Sequence, residues 1–186
     1  AAAGKEANFL TLLEAPAPGA VFARAGLGGA AEARLIAPSL VRFLPCGGLL
    51  ALSESAGAAY SVVVSANGVM AFSSARAEVC LSGAKDLALA PNASCAYVAS
   101  SGVDALALLE LGSAGAITGS RVAAAKGPGD LAAFSRPYCL VIRPDGSLLA
   151  VGTAGDDAIY FFARDSSTNA LSYASRLDKS AFPIEA

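Results

Sequence analysis

Apolar positions in this chain fall in short runs, each closed by a cluster of Gly, Pro, Asn, Asp or Ser, and no long window holds a helical period. The runs predict strands. SLVRFL, DLALA and CLVIR open three comparable series, and LLALS, CAYVAS and LLAVG come second in each. AAYSVVVS, DALALLEL and DAIYFFARD come third, and VMAFSSA, ITGSRVA and LSYASRL come fourth. The joints carry turn chemistry: PDG and PNA between the first and second runs, SSGVD and TAGDD between the second and third, and SANG, GSAGA or SSTNA before the last. AIYFFA is apolar on consecutive positions, which predicts a strand covered on both faces.

The series are copies of one unit. PDGSLLAVGTAGDDA from Pro144 aligns without a gap on PCGGLLALSESAGAA from Pro45 and on PNASCAYVASSGVDA from Pro91, at a spacing of about 50 residues. In that alignment Asn92 meets Asp145, Asp104 meets Asp157, and Gly57 meets Asp156. A four-strand unit with this period is a propeller blade, a small antiparallel sheet that buries its faces by stacking on its neighbours. NFLTLLEAPAPGAVFARA resembles the third strand, turn and fourth strand of a blade that opens the chain. The predicted fold is therefore all-β, a β-propeller segment of about three and a half four-stranded antiparallel blades. The predicted organisation is one domain: residues 1–38 a half blade of two outer strands and a connector, then blades at 39–82, 83–126 and 127–180, with 181–186 the start of a further blade or a tail.

Composition narrows the chemistry. The chain is 55% hydrophobic, with a mean hydropathy of +0.56 that comes mainly from alanine. Charged and small polar residues interrupt every run before it reaches membrane-spanning length, so no membrane span is expected. Net charge is −2 and the basic residues are scattered, which gives no phosphate-tracking surface and no nucleic-acid partner. There is no histidine, and Cys46, Cys80, Cys95 and Cys139 form no CxxC pair, so no metal site is expected and no cofactor is indicated. Buried free thiols and a disulfide framework both fit four cysteines in strands. If any pair is bridged, Cys80 with Cys95 is the expected one. The triplet beginning at Asn92 has the N-glycosylation pattern in an exposed turn, which tilts localisation towards a secretory, extracellular route.

DLALAPNASCAYVASSGVDALALLELGSAGAIT and CLVIRPDGSLLAVGTAGDDAIYFFARDSSTNALS resemble the lactonase-type, YVTN-type seven-bladed propeller family. The resemblance covers roughly residues 40 to 178 and rests on scaffold motifs, so it implies the fold more than the activity. Related blades occur in sugar-lactone hydrolases and in surface proteins with YVTN repeats. A full member is about twice this length, which implies part of a propeller. Tyr138 stands where related blades often carry His, so the family's catalytic pattern is not carried over.

Arg42, Asp86, Arg136 and Arg143 occupy or flank first strands, which line the central channel of a propeller, and are the candidate ligand-facing groups. Asp156 and Asp157 sit at the bend between second and third strands. Because Asp104 repeats one of them, they are expected to form the turn and not to hold a cation. Arg164 and Asp165 are expected to cap the ARDSST turn, and the Gly-rich GLGGA to be an inter-blade loop. The leading functional expectation is a non-catalytic structural or protein-interaction module whose partner is another protein or the remaining blades. The alternative is part of a lactonase-like hydrolase whose catalytic residues lie mostly elsewhere.

Overall fold

The computed structural model describes residues 2–3, 10–13, 24–26, 36–64 and 70–181. The first strands are β1 (Ala2–Ala3), β2 (Leu10–Leu13) and β3 (Arg24–Gly26), an antiparallel sheet in that order. β2 and β3 fall in the two segments read as outer strands, and β1 adds a third. The SANG turn and the rest of GLGGA lie outside the described residues.

Three four-stranded sheets follow, each a meander in chain order. The first is β4 (Leu40–Phe43), β5 (Leu49–Ser53), β6 (Ala58–Val64) and β7 (Met70–Ala77). The second is β8 (Ala84–Leu89), β9 (Cys95–Ser100), β10 (Ala105–Leu111) and β11 (Ile117–Ala125). The third is β12 (Pro137–Ile142), β13 (Leu148–Thr153), β14 (Ala158–Arg164) and β15 (Leu171–Asp178). All pairings are antiparallel, and the inner strands β4, β8 and β12 are neighbours across blades. Single 3-10 turns at Val79–Leu81, Gly129–Leu131 and Lys179–Ala181 follow the fourth strands. The chain is all-β, a segment of a β-propeller.

The hairpin between first and second strands corrects the ungapped alignment. In the second and third blades the N–H of Ala90 donates to the Cys95 carbonyl and that of Arg143 to Leu148, closing over four residues. In the first blade Leu44 donates to Gly48 across three. From Gly48 onwards the first copy is therefore one residue out of step, and Gly57 shares its place with Asp104 and Asp157, not Asp156. The backbone agrees: φ is +54° at Gly57, +49° at Asp104 and +51° at Asp157. Each is the residue just before a third strand, where the left-handed bend suits Gly or Asp. A slip of one residue turns every side chain to the other face of a strand, so the correction decides which blade each residue meets.

With the corrected register the core falls into layers between blades. Leu50, Leu52 and Ala59 of the first blade pack against Leu87, Ala96, Val98 and Leu109 of the second. The other side of the second blade, with Tyr97, Leu106 and Leu108, packs against Leu149, Val151, Tyr160 and Phe162 of the third. Phe134, fully buried in the segment leading into β12, meets Tyr160 edge-on at 5.0 Å and Phe162 at 6.1 Å between ring centroids. Leu49, Ala51, Tyr60 and Val62 form a third cluster on the side of the first blade away from the second. β9 is buried at all six residues, whereas β14 alternates. The double cover expected for AIYFFA is not met here: Tyr160 and Phe162 are buried, but Ile159 is 42% exposed.

Candidate functional site

Asp86 is the junction of the inner strands. Its Oδ1 accepts the Leu87 N–H at 2.8 Å and an Arg42 guanidinium N–H at 3.2 Å, and its Oδ2 accepts the Leu140 N–H at 3.1 Å. One carboxylate therefore ties β4, β8 and β12 together. The Arg42 side chain is 48% exposed and that of Asp86 20%, so the pair stands at a partly open surface. Each oxygen of the carboxylate thus holds at least one hydrogen bond to a neighbouring strand or to its own.

The other two candidates do not join this pair. Arg136 precedes β12 and Arg143 follows it, at opposite ends of the strand. Arg136 is exposed and adopts a left-handed φ of +51°, and its backbone N–H donates to Asp104 Oδ1 at 2.7 Å. Arg143 is bound to its own turn, with Nε 2.9 Å from Asp145 Oδ1 and Nη2 2.6 Å from Oδ2. The Arg143 guanidinium and then Ser147 hold Asp145 well below the usual carboxylate range. The four residues thus form one bridging pair, one turn former and one self-contained hairpin clamp.

A cluster that sequence reading missed lies at the start of the first strands. β8 and β12 are irregular at the same place, so that Lys85 and Tyr138 bulge from the ladder. Lys85 Nζ pairs with Glu54 of the first blade and lies 5.9 Å from the centroid of the Tyr138 ring in the third. A basic residue at 85 and an aromatic at 138 share no chemistry, so only their common register reveals them.

Two further clusters join blades. Asp104 Oδ1 accepts the Ser135 hydroxyl at 3.3 Å as well as the Arg136 N–H, while Lys126 lies 3.9 Å from Oδ2. Here a turn residue of the second blade receives the segment that leads into the third. Gly155 and Gly102 hold equivalent places: a Cβ on either would stand 2.5 Å or 2.8 Å from the hydroxyl of Ser135 or Ser82, so the turns approach as they do only with glycine. Arg164, 8% exposed, donates through Nε to the Tyr97 hydroxyl at 3.1 Å, through Nη1 to the Gly146 carbonyl at 3.1 Å, and through Nη2 to Asn169. It caps the turn, as expected, and also reaches the neighbouring blade. Burial pushes the Tyr97 hydroxyl up to about 12. Asp165, in the same turn, is drawn down to about 2 by the Ser167 hydroxyl and backbone.

At the turn between β13 and β14 Asp156 Oδ2 accepts the Tyr160 hydroxyl at 2.7 Å and lies 3.3 Å from Arg176. Asp157 is 3.7 Å from Lys179. No group of three potential metal ligands occurs among the described residues. Asn92 is exposed, and its Oδ1 accepts the Ser94 N–H at 3.2 Å and the Ser94 hydroxyl at 2.9 Å.

Cys46, Cys80, Cys95 and Cys139 are free thiols. Cys80 packs into the layer between the first and second blades and Cys95 into the layer between the second and third, so the sheet separates them. Burial raises the pKa of both thiols.

The sequence matches no protein-family profile and no curated protein. Solved structures do match in shape. A Lactobacillus plantarum protein superposes with a TM-score of 0.74 at 17% identity, over 95% of this chain and 53% of its own length. A putative 6-phosphogluconolactonase from Bacteroides uniformis gives 0.67 at 18% identity, over 94% of this chain and 52% of its own length. The periplasmic gluconolactonase PpgL of Pseudomonas aeruginosa gives 0.62 at 16% identity, over 76% and 40%. The shared fold is that of a β-propeller, and putative and periplasmic lactonases are among the proteins that have it. This chain spans about half the length of the first two structures.

Proposed function

We propose that this chain is a propeller segment serving as a structural and protein-interaction module, whose charged residues on the inner strands tie blade to blade. The observation that carries this reading is Asp86, whose two oxygens are shared among Arg42 of one blade, Leu87 of its own and Leu140 of the next. The test is hydrolysis of glucono-δ-lactone and of its 6-phosphate by the purified chain. The expected result is the uncatalysed rate for both. Saturable turnover that Arg42→Ala or Arg136→Ala abolishes would overturn the reading.

A second reading is favoured by the solved neighbours described as gluconolactonases: the chain is part of a sugar-lactone hydrolase whose chemistry needs further blades. Arg42, 48% exposed, is then the side chain best placed to meet an anionic sugar. Turnover by a longer gene product, but not by this chain, would favour this second reading. A secretory route rests on the exposed Asn92 turn, and a mobility shift on glycosidase treatment of secreted material checks it.

A further inference from the structure

RPDGS turns the chain between β12 and β13 and contains the one Asp-Gly pair of the sequence, Asp145–Gly146. In such a pair the aspartyl carboxyl closes readily on the next backbone nitrogen, because glycine puts no side chain in the way. The Gly146 nitrogen attacks Cγ of Asp145 and forms an N–Cγ bond, while the carboxyl hydroxyl leaves as water with the amide proton. Water then opens the ring at the former main-chain carbonyl, so that the main chain runs through Cβ and Cγ and the α-carboxylate is free. No oxidant, reductant or second reactant is needed, and the isoaspartyl chain has the mass of the starting one.

In the folded hairpin each reacting group is already engaged. The Gly146 N–H donates to the Arg143 carbonyl at 2.7 Å. Asp145 Oδ1 accepts the Ser147 N–H at 3.0 Å and the Ser147 hydroxyl at 2.9 Å, and Arg143 Nε lies 2.9 Å from Oδ1 and 3.0 Å from Oδ2. The Arg143 guanidinium first, and then Ser147, favours the ionised carboxylate, whereas the oxygen leaves as water from the protonated one. The Arg143 and Asp145 side chains are 54% and 55% exposed, so the clamp opens without the blade unfolding. The equivalent hairpin of the second blade repeats the bonds from Ser94 to Asn92, but Ala93 stands at the place of Gly146 and Ala90 at that of Arg143. The arginine accompanies the glycine.

Gly146 is also where this hairpin meets the second blade. Its carbonyl accepts Arg164 Nη1 at 3.1 Å, and a Cβ on it would stand 3.0 Å from Pro91. Arg164, buried, holds the Tyr97 hydroxyl through Nε. One methylene added to the main chain just before Gly146 moves its carbonyl off the guanidinium, and a buried donor left without its acceptor loosens the seam.

We propose that Asp145–Gly146 is a modification site, a succinimide-forming pair that the Arg143 clamp keeps closed and whose isomerisation unlocks the seam between the second and third blades. The proposal rests on this hairpin and is independent of whether the propeller hydrolyses lactones.

The experiment ages the 186-residue chain, Arg143→Ala and Asp145→Glu side by side at mildly acidic pH, and reads isoaspartate at position 145 by electron-transfer fragmentation of the mapped peptide. The same chain in guanidinium chloride sets the unprotected rate. The folded chain should isomerise at least about tenfold slower than the denatured one, and Arg143→Ala at least about threefold faster than the folded chain. Iodoacetamide labelling of Cys95, buried in the seam with Tyr97, should rise with the isomerised fraction in Arg143→Ala and stay flat in Asp145→Glu, whose longer side chain closes the ring far more slowly.

Equal rates in the folded and denatured chains would overturn the proposal. So would an Arg143→Ala chain that protects Cys95 when fresh yet isomerises no faster than the native chain, and so would isoaspartate that accumulates while Cys95 stays protected. Should Arg143→Ala expose Cys95 before ageing, Ser147→Ala, which removes one hydroxyl and leaves the ion pair, takes its place. Isomerisation faster than in the native chain then supports the clamp, and an unchanged rate overturns it.

Discussion

β10 and β14 hold the same place in successive blades, carry comparably apolar sequences, ALALLEL and AIYFFAR, and meet water differently. Every residue of β10 except Glu110 is buried, because the first blade covers one face and the third covers the other. β14 buries Ala158, Tyr160, Phe162 and Arg164 against the second blade and turns Ile159 and Ala163 to solvent. A continuous apolar run is thus a statement about neighbours: it specifies two covering sheets, and in β14 this chain supplies one of them.

Substitutions at paired positions sharpen that difference, and the largest effect belongs to the closed junction. Phe134→Ala removes the ring wedged against Tyr160 and Phe162 and should cost about 3–5 kcal/mol, read from urea denaturation. Leu106→Ala should cost about 2–5 kcal/mol, whereas Ile159→Ala, its counterpart on the open face, should cost less than about 1 kcal/mol. Equal losses at 106 and 159 would break the comparison.

The paired carboxylates come next. Asp104→Asn weakens charge-assisted hydrogen bonds to Ser135 and Arg136 and should lower stability by about 1–2 kcal/mol. Asp157→Asn, whose ion-pair partner among the described residues is the exposed Lys179, should stay within about 0.5 kcal/mol in the same titration.

The smallest effects are in pH dependence. Tyr97 holds its proton up to about 12, so above the ordinary tyrosine range near pH 10 the unfolded chain loses a proton that the folded chain keeps. Stability should be full below pH 10 and fall as pH rises from 10 to 12, and Tyr97→Phe should reduce that slope. Asp165 has the opposite sign. Its ionised form is favoured in the fold, so its contribution is present above about pH 4 and lost as pH falls towards 2. Thermal melts across both ranges, with Asp165→Asn as the control, check the two slopes.

The strands and blades were legible because turn residues punctuate short apolar runs, and the Asp104 and Asp157 bends were legible because the same residue recurs before a third strand. The register of the first copy was not: LLALS fits LLAVG better in the ungapped alignment than one residue over, and only the three-residue hairpin after Leu44 shows that the second register is the one adopted. The Arg143–Asp145 clamp is local and can be anticipated from RPDGS. The bridge from Asp86 to Leu140 spans 54 residues and goes to a backbone N–H, which has no residue signature. Cys80 and Cys95 are close along the chain, but the sheet between them places them in different layers.

The central claim is that consecutive blades share one register and that, among the described residues, the third blade presents an open face where the second is covered. It is tested most directly by the labelling rates of single thiols introduced by Leu106→Cys and Ile159→Cys, each in a chain whose four native cysteines are serine. The thiol at 159 should react at a rate close to that of an unfolded peptide, and the thiol at 106 at least about a hundredfold slower, released only by opening of the blade stack. Similar rates at the two positions in a folded chain would contradict the account.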